Sequence, residues 1–156
     1  MKELSHFDEA GKIKMVDISS KETTLRRAVA SGKVILSEQT IAAVQNQTNP
    51  KGDPVEIARI AGVMAAKKCS ELIPLCHQVN LSKVNVTAEF ADFGILLAAE
   101  ATTTAQTGVE MEALTAVSIA ALTIYDMCKA VQKDIVITDI KLEYKTGGAS
   151  DFVASR

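Results

Sequence analysis

The chain has 156 residues and a formal net charge of −2, with 47% hydrophobic and 23% charged residues. This length and balance fit one globular domain and exclude a disordered or collagen-like chain. Aromatic residues make up 4% and Trp is missing, which argues against a surface that stacks nucleic-acid bases.

The cysteines indicate a reducing compartment. Cys69, Cys76 and Cys128 are odd in number and form no C-x-x-C pair. The sequence therefore predicts neither a disulfide framework nor a zinc site. The first 14 residues contain no continuous apolar segment, so no signal peptide is predicted. Residues 113–130 are expected to be too polar to span a membrane, and we expect a cytoplasmic protein.

The N-terminal part of the chain is predicted to contain an arm, strands and a short helix. Residues 1–12 are expected to form a mobile arm. Residues 13–18 and 25–36 hold enough β-branched residues to predict strands. Ser37 is expected to cap a helix that ends near residue 45. The polar residues 46–52 then predict an exposed loop.

A second helix is predicted from Asp53 to about residue 70. Asp53 can cap the helix, Pro54 suits its first position, and Glu56 can close a capping box. The expected buried stripe consists of five residues: Ile57, Ile60, Ala61, Met64 and Ala65. Pro74 prevents a regular continuation, so residues 72–80 are expected to form a tight connector.

The C-terminal half predicts a hairpin, a long helix and a last strand. Residues 81–90 alternate between apolar and polar, and residues 92–94 form the turn to a partner strand at 95–104. The pattern TGVE at 107–110 predicts a capping box and a helix that ends near residue 133. Residues 135–144 predict the last strand, before a flexible tail at 146–156. Four apolar residues are expected on one face of the first hairpin strand: Val84, Val86, Ala88 and Phe90.

From residue 24 onward the predicted order is β-α-β-β-α-β. This order indicates an α+β fold of the ferredoxin-like type, in which an antiparallel sheet carries two main helices on one face. Residues 1–156 are expected to form a single domain. The sheet face without helices is a natural surface for self-association.

Asp126 and Lys129 lie one turn apart on the long helix. A solvated ion pair is the ordinary interpretation of such spacing. The apolar residues around them favour the other interpretation, in which this part of the helix is largely buried and the charges have a function. The sequence leaves both interpretations open.

Glu112 lies on nearly the same face of the long helix as Asp126, since fourteen residues make almost four turns. The rise of the helix still separates the two by about 20 Å. They either bind opposite ends of a long ligand or belong to a site completed between subunits. Glu110 is explained by the helix dipole and the capping box.

The connector and the polar loop hold further candidates. His77 lies alone in the connector. An isolated histidine is more often a structural hydrogen-bond partner than a catalyst. Cys76 and His77 are adjacent and rarely chelate together, so no metal site is predicted. Lys51, in its Gly- and Pro-bounded loop, is suited to contact a phosphate.

Six segments carry a resemblance to a known family. They are MVD at 15–17, KGD at 51–53, ARIAG at 58–62, LIPLCH at 72–77, TGVEMEALTA at 107–116 and LTIYDMCKAV at 122–131. They closely resemble the cyclic pyranopterin monophosphate synthase family, which is molybdenum cofactor biosynthesis protein C. The resemblance runs over residues 4–152.

The resemblance implies a lyase that converts 3′,8-cyclo-7,8-dihydro-GTP to cyclic pyranopterin monophosphate and diphosphate. No cofactor is implied beyond Mg²⁺ that could accompany the triphosphate. The implied partners are this nucleotide-derived substrate and copies of the chain itself, in a hexamer built as a trimer of dimers with sites at the dimer interface. Neither nucleic acid nor a membrane is implied as a partner.

The resemblance also implies roles for particular residues. Asp126, Lys129 and Lys51 match catalytic positions. Seven residues match substrate-binding or phosphate-contacting positions: Leu75, Cys76, His77, Met111, Glu112, Arg26 and Lys145.

The chain departs from the family pattern where phosphate is expected to bind. Gln106 stands where many relatives have lysine, and Gln78 stands where proline is usual. The tail KTGGASDF at 145–152 is one residue shorter and lacks a second lysine. The alternative functions are a non-catalytic ferredoxin-like nucleotide-binding regulatory module and a phosphate-binding structural oligomer.

Overall fold

The computed structural model describes residue 7 and residues 10–155. Most of the predicted N-terminal arm therefore lies outside the described residues. The elements are β1 (Thr24–Ile35), α1 (Glu38–Gln45), α2 (Pro54–Lys67), α3 (Cys69–Leu72), β2 (Leu81–Ala91), β3 (Gly94–Ala105), α4 (Glu110–Cys128), β4 (Val136–Thr146) and β5 (Phe152–Val153).

The strands form one sheet in the order β2-β3-β1-β4-β5, and every neighbouring pair is antiparallel. The connection from β1 through α2 to β2 leaves room for β3 between the two strands, as in a split β-α-β unit. The predicted α+β, ferredoxin-like fold is confirmed. The short strand β5, which pairs with the end of β4, was not predicted.

The core lies between the sheet and the two main helices. Alternate residues of β1, including Ala28, Ala30 and Val34, are buried beneath α4. Helix α2 packs beside α4 and over β2. A Cβ at Gly62 of α2 would lie 2.9 Å from the carbonyl oxygen of Ala116, so the two helices approach closely through small residues.

Helix α2 begins as predicted but buries a different face. Asp53 accepts hydrogen bonds from the backbone amides of Val55 and Glu56, and Pro54 is the first helical residue. The predicted buried stripe is wrong except at Ala65, and Ala61 is only half-buried. The large residues of that stripe are about half exposed: Ile57 48%, Ile60 50% and Met64 56%. The face that packs on α4 is instead made of small residues: Ala58, Gly62, Ala65 and Ala66.

Three further expectations are corrected. Residues 13–18 form no strand, and a single bridge joins Ile13 to Phe7. The predicted capping box is wrong, because Val109 is the N-cap of α4 and supplies no side-chain cap among the described residues. The helix ends at Cys128 rather than near residue 133, since residues 129–131 form a turn.

Helix α4 is the central element of the core. Its length and composition would suffice to cross a membrane, although polar residues interrupt it. Most of it is buried within the protein, including Ala113, Ala116, Ala120 and Ile124. This is the position of the core helix of a globular fold.

Candidate active site

Three charged side chains meet at the C-terminal end of α4. Lys51 Nζ donates to the carboxylate Oδ2 of Asp126 at 3.0 Å and to its backbone carbonyl at 2.9 Å. Lys129 Nζ lies 2.7 Å from Oδ1 of the same carboxylate. The fold therefore brings the loop lysine to the helical pair predicted from sequence. We call Lys51, Asp126 and Lys129 the lysine–aspartate cluster.

The cluster is exposed, contrary to the expected burial of this part of the helix. The side chains of Lys51, Asp126 and Lys129 are 41%, 56% and 49% exposed. Only the opposite side of the last helical turns is buried, with Ile124 and Cys128 in the core. The apolar neighbours thus mark the inner face of α4, and the charges lie on its outer face.

Each partner in the cluster stabilises the charge of the other. Hydrogen bonds from Lys129 and then Lys51 lower the pKa of Asp126 below its ordinary value of 3.8. The carboxylate in turn raises the pKa of Lys129 above 10.5. At neutral pH a carboxylate therefore holds a lysine that keeps its proton, an arrangement suited to contact with an anion.

Asn49 fixes the loop that carries Lys51. Its amide Nδ2 donates to the carbonyl oxygens of Gly52 and Met127, both at 3.1 Å. Asn49 is only 6% exposed, although the loop was predicted to be exposed. Apart from the preference of Asn for turns, no feature of the sequence pointed to this residue.

A second group of predicted residues lies at the N-terminal end of α4. Glu112 is 3% exposed, and its Oε1 accepts a weak hydrogen bond from Cys76 Sγ at 3.7 Å. Burial raises the pKa of Glu112, and burial together with the charge of Glu112 raises the pKa of Cys76 to about 12. The sequence did not predict that Cys69 joins them, with its Sγ 3.9 Å from that of Cys76.

His77 is held by the segment before β1. Its Nε2 donates to the carbonyl oxygen of Val16 at 2.7 Å, which fixes the ring and leaves the other nitrogen for a further partner. Leu75, Cys76, His77 and Met111 line the same cavity of about 420 Å³. The structure therefore brings Met111 of α4 to the same cavity as the residues predicted from the connector, whereas Glu112 lines a different cavity.

A basic pocket of about 460 Å³ adjoins this cavity. Arg26 and Lys145 line it, as does Lys21, which the sequence did not single out. Lys145 Nζ donates to Glu110 at 2.9 Å, and Arg26 Nε donates to the carbonyl of Ala105 at 3.2 Å. Lys21 and Glu110 line both spaces, so they form one continuous depression.

Gln106, which departs from the family pattern, faces this pocket. Its side-chain amide donates to the backbone carbonyls of Ser19 and Lys21. It therefore ties the chain before β1 to the pocket but contributes no positive charge there.

The two groups of residues are far apart within one chain. Glu112 and Asp126 both lie on α4, and their fourteen-residue separation corresponds to about 21 Å along the axis. The continuous depression lies at one end of the helix and the lysine–aspartate cluster at the other.

Comparison with known sequences identifies the family. A sequence model described as the MoaC family matches residues 15–148. The chain belongs to the MoaC family. The predicted resemblance is thus confirmed over nearly the whole chain.

Individual MoaC-family relatives are similar over most of this chain. It is 54% identical over 148 residues to "Cyclic pyranopterin monophosphate synthase 3" of Mycobacterium tuberculosis, covering 94% of this chain and 84% of that protein. It is 53% identical over 150 residues to "Cyclic pyranopterin monophosphate synthase" of Chloroflexus aggregans, covering 95% and 91%.

One MoaC-family relative is longer. The "Molybdenum cofactor biosynthesis bifunctional protein" of Chlorobaculum tepidum is 52% identical over 148 residues, covering 95% of this chain and 47% of that protein. The chain thus spans about half of this relative and most of the other two. The prediction of an enzyme of molybdenum cofactor biosynthesis is confirmed, and the non-catalytic regulatory module is not favoured.

Proposed function

We propose that this chain is a cytoplasmic lyase that converts 3′,8-cyclo-7,8-dihydro-GTP to cyclic pyranopterin monophosphate and diphosphate. The observation that carries the proposal is the lysine–aspartate cluster, in which Asp126 lies 3.0 Å from Lys51 Nζ and 2.7 Å from Lys129 Nζ. Membership of the MoaC family and the names of its relatives support the same reaction.

The cluster suits the step that releases diphosphate. In that step a ribose hydroxyl oxygen forms a bond to the α-phosphorus and loses its proton to water, and the bond from that phosphorus to the bridging oxygen of diphosphate breaks. Negative charge develops on the leaving diphosphate, where the ammonium groups of Lys51 and Lys129 stabilise it. Lys129, whose pKa is raised beside Asp126, keeps its proton and donates a charged hydrogen bond to the leaving oxygen.

Asp126 positions the two lysines and shares in proton transfer between them. Its pKa is lowered by both partners, so it is a weak base until one lysine has lost its proton. Loss of a proton from Lys129 removes one of the charges that lower the pKa of Asp126. The carboxylate and the lysines therefore act as one coupled unit.

The continuous depression is proposed to bind the substrate. Its basic part, with Arg26 and Lys145, suits the triphosphate, and the part lined by Leu75, Cys76, His77 and Met111 suits the pterin-forming rings. Glu112 contacts Cys76 of this second part, with 3.7 Å between its Oε1 and the Sγ atom. Lys145 pairs with Glu110 at 2.9 Å, so phosphate binding competes with that carboxylate for the lysine.

We infer that each active site is shared between two subunits of a homo-oligomer, a hexamer arranged as a trimer of dimers. One chain places its two groups of residues about 21 Å apart, too far to act on the same atoms. Ile57, Ile60 and Met64, at helical spacing on α2, are about half exposed and supply an apolar surface for association.

The proposed reaction needs no redox cofactor, because ring opening, ring closure and phosphate cyclisation change no net oxidation state. Mg²⁺ enters this proposal only as the ion that accompanies the triphosphate. The lysines and Arg26 neutralise part of the phosphate charge whether or not that ion is bound.

Release of diphosphate from 3′,8-cyclo-7,8-dihydro-GTP tests the proposal. We expect turnover by the wild-type chain and a decrease of at least about 100-fold in Asp126→Asn, which keeps the side-chain shape and removes its charge. Asp139→Asn is the matched control, because Asp139 forms a similarly exposed pair with Lys33 at 2.8 Å. Near-normal turnover in a folded Asp126→Asn variant would show that the cluster is an ordinary group of surface ion pairs with no part in catalysis.

A further inference from the structure

Three side chains with metal-binding atoms meet beneath the connector that follows α3. They are Cys69 of α3, Cys76 of the connector and Glu112 of α4, and their ligand atoms all lie within 4.8 Å of one another. The Sγ atoms of the two cysteines are 3.9 Å apart, and Cys76 Sγ lies 3.7 Å from Glu112 Oε1. We call these three residues the thiol–carboxylate cluster.

The cluster is enclosed by the fold. Cys69 is 1% exposed and Glu112 is 3% exposed. The second carboxylate oxygen of Glu112 is buried and has no hydrogen-bond partner among the described residues. A buried carboxylate oxygen without a partner is costly, so its presence points to a ligand that completes the site.

Two of the three separations in the cluster match tetrahedral coordination of zinc. With Zn–S bonds of about 2.3 Å and Zn–O bonds of about 2.1 Å, tetrahedral angles place two sulfurs about 3.8 Å apart and sulfur and oxygen about 3.6 Å apart. The observed separations of 3.9 Å and 3.7 Å agree with these values. Binding would therefore need little change in these two separations, and the third pair, Cys69 and Glu112, lies within 4.8 Å.

The chemistry of the donors selects a soft or borderline cation. Two thiolates suit Zn²⁺, whereas Mg²⁺ and Ca²⁺ prefer oxygen ligands alone. The cluster would carry three negative charges when its groups are ionised, and a divalent cation would remove most of that charge. Without such a cation, the three groups can share the buried space only by keeping protons.

We propose that Cys69, Cys76 and Glu112 form a Zn²⁺ site with three protein ligands and an open fourth position. Cys69 and Glu112 line a cavity of about 650 Å³, and Cys76 lines the depression that contains His77, so the site borders a cavity on either side. The site goes beyond the proposed reaction, which needs no zinc.

The neighbouring side chains support the ligands without replacing them. Thr115 Oγ1 lies 3.5 Å from Cys69 Sγ and can donate to a thiolate there. His77, the residue next to Cys76, bonds to Val16 instead and is not part of the cluster. The metal pair considered from sequence, Cys76 with His77, is therefore not the arrangement that the fold provides.

Titration of the full-length, reduced and metal-free protein with Co²⁺ tests this proposal directly. Co²⁺ reports tetrahedral thiolate coordination by its ligand-to-metal and d–d absorption bands, and competition with Zn²⁺ gives the affinity for zinc. We expect one Co²⁺ per chain, displaced by one Zn²⁺. Cys76→Ser, Cys69→Ser and Glu112→Gln should each lower the Zn²⁺ affinity by at least about 100-fold.

Cys128→Ser is the matched control. Cys128 is also a buried, free cysteine on the core side of α4, about 24 Å along the helix from Glu112. This variant should bind Zn²⁺ as the wild type does. Circular dichroism of each variant checks folding, and Cys76, which is partly exposed, gives the substitution least disruptive to the core.

Two results would overturn the proposal. One is a reduced wild-type protein that gives no tetrahedral thiolate spectrum with Co²⁺, and the other is a folded Cys76→Ser variant that binds Zn²⁺ like the wild type. Diphosphate release is measured separately in each preparation. A protein that releases diphosphate but fails the Co²⁺ test loses the zinc site alone, whereas a protein that binds Zn²⁺ but releases no diphosphate loses the proposed function alone.

Discussion

Replacement of Asn49 by alanine tests how Lys51, the lysine proposed to act in catalysis, is positioned. Asn49 lies two residues before Lys51 and ties the loop to α4 through hydrogen bonds to the carbonyls of Gly52 and Met127, both at 3.1 Å. Its side chain touches none of the reacting groups in our proposal. Asn49→Ala should therefore affect turnover only through the placement of Lys51.

The expected loss of stability follows from these two bonds. Each contributes about 0.5–1.5 kcal/mol net, so together they contribute about 1–3 kcal/mol. The variant also removes Oδ1 of Asn49, which is buried without a hydrogen-bond partner among the described residues, and this offsets part of the loss. A net destabilisation of about 1–2 kcal/mol lowers the melting temperature by about 2–8 °C in a domain of this size.

The assay combines thermal melting with diphosphate release. We expect kcat to fall at least about 10-fold while KM changes less, because the misplaced lysine acts on the chemical step. Asn46→Ala is the control, since Asn46 is exposed in the same loop. A variant at Asn49 that melts and turns over like the wild type would refute the positioning role.

Two further substitutions separate binding from catalysis and test the packing. Arg26→Ala should mainly weaken substrate binding, whereas Lys129→Ala should mainly lower the rate of a single turnover at saturating substrate; full recovery of both variants at high substrate would contradict this division. Gly62→Ala should lower the melting temperature by about 2–12 °C, because a Cβ would lie 2.9 Å from the carbonyl oxygen of Ala116 and overpacking costs about 1–3 kcal/mol. An unchanged melting temperature would show that α2 moves away from α4 freely.

Local signals predicted the order of the elements well. Asp53 and Pro54 start α2 as expected, since capping and the fixed φ of proline act within a few residues. The alternation of apolar and polar residues along β2 and the turn before β3 also depend only on residues that are close in sequence. The ferredoxin-like order follows from these elements, because few topologies accommodate such a series.

The buried face of α2 could not be predicted from hydrophobicity. The stripe with the largest apolar residues, Ile57, Ile60 and Met64, is half exposed, whereas Ala58 and Gly62 are buried against α4. Close contact between two helices requires small residues, and this requirement outweighs the burial of larger side chains. The same sequence pattern is compatible with a surface that associates with another subunit.

Contacts between distant parts of the chain could not be predicted from the sequence either. Lys51 meets Asp126 across 75 residues, and Cys76 meets Glu112 across 36 residues. The resemblance to the family supplied Lys51, Asp126, Cys76 and Glu112 as site residues, but no motif pointed to Cys69. Its place beside Cys76 depends on the turn of the chain after α3.

Complementation between subunits tests the shared active site most directly. In that arrangement, Lys51 of one chain and Glu112 of another serve the same site, and a dimer has two such sites by symmetry. A mixed dimer of Lys51→Ala and Glu112→Ala chains then contains one site with both defects and one intact site. The mixture should recover up to about half of the wild-type activity per mixed dimer.

A second mixture is the matched control. Lys51 and Asp126 meet within one chain, with Lys51 Nζ 3.0 Å from Asp126 Oδ2. Mixed dimers of Lys51→Ala and Asp126→Asn chains therefore carry one defect in each site and should stay inactive. The account predicts recovery in the first mixture and none in the second, and background activity in verified mixed dimers of the first kind would contradict it.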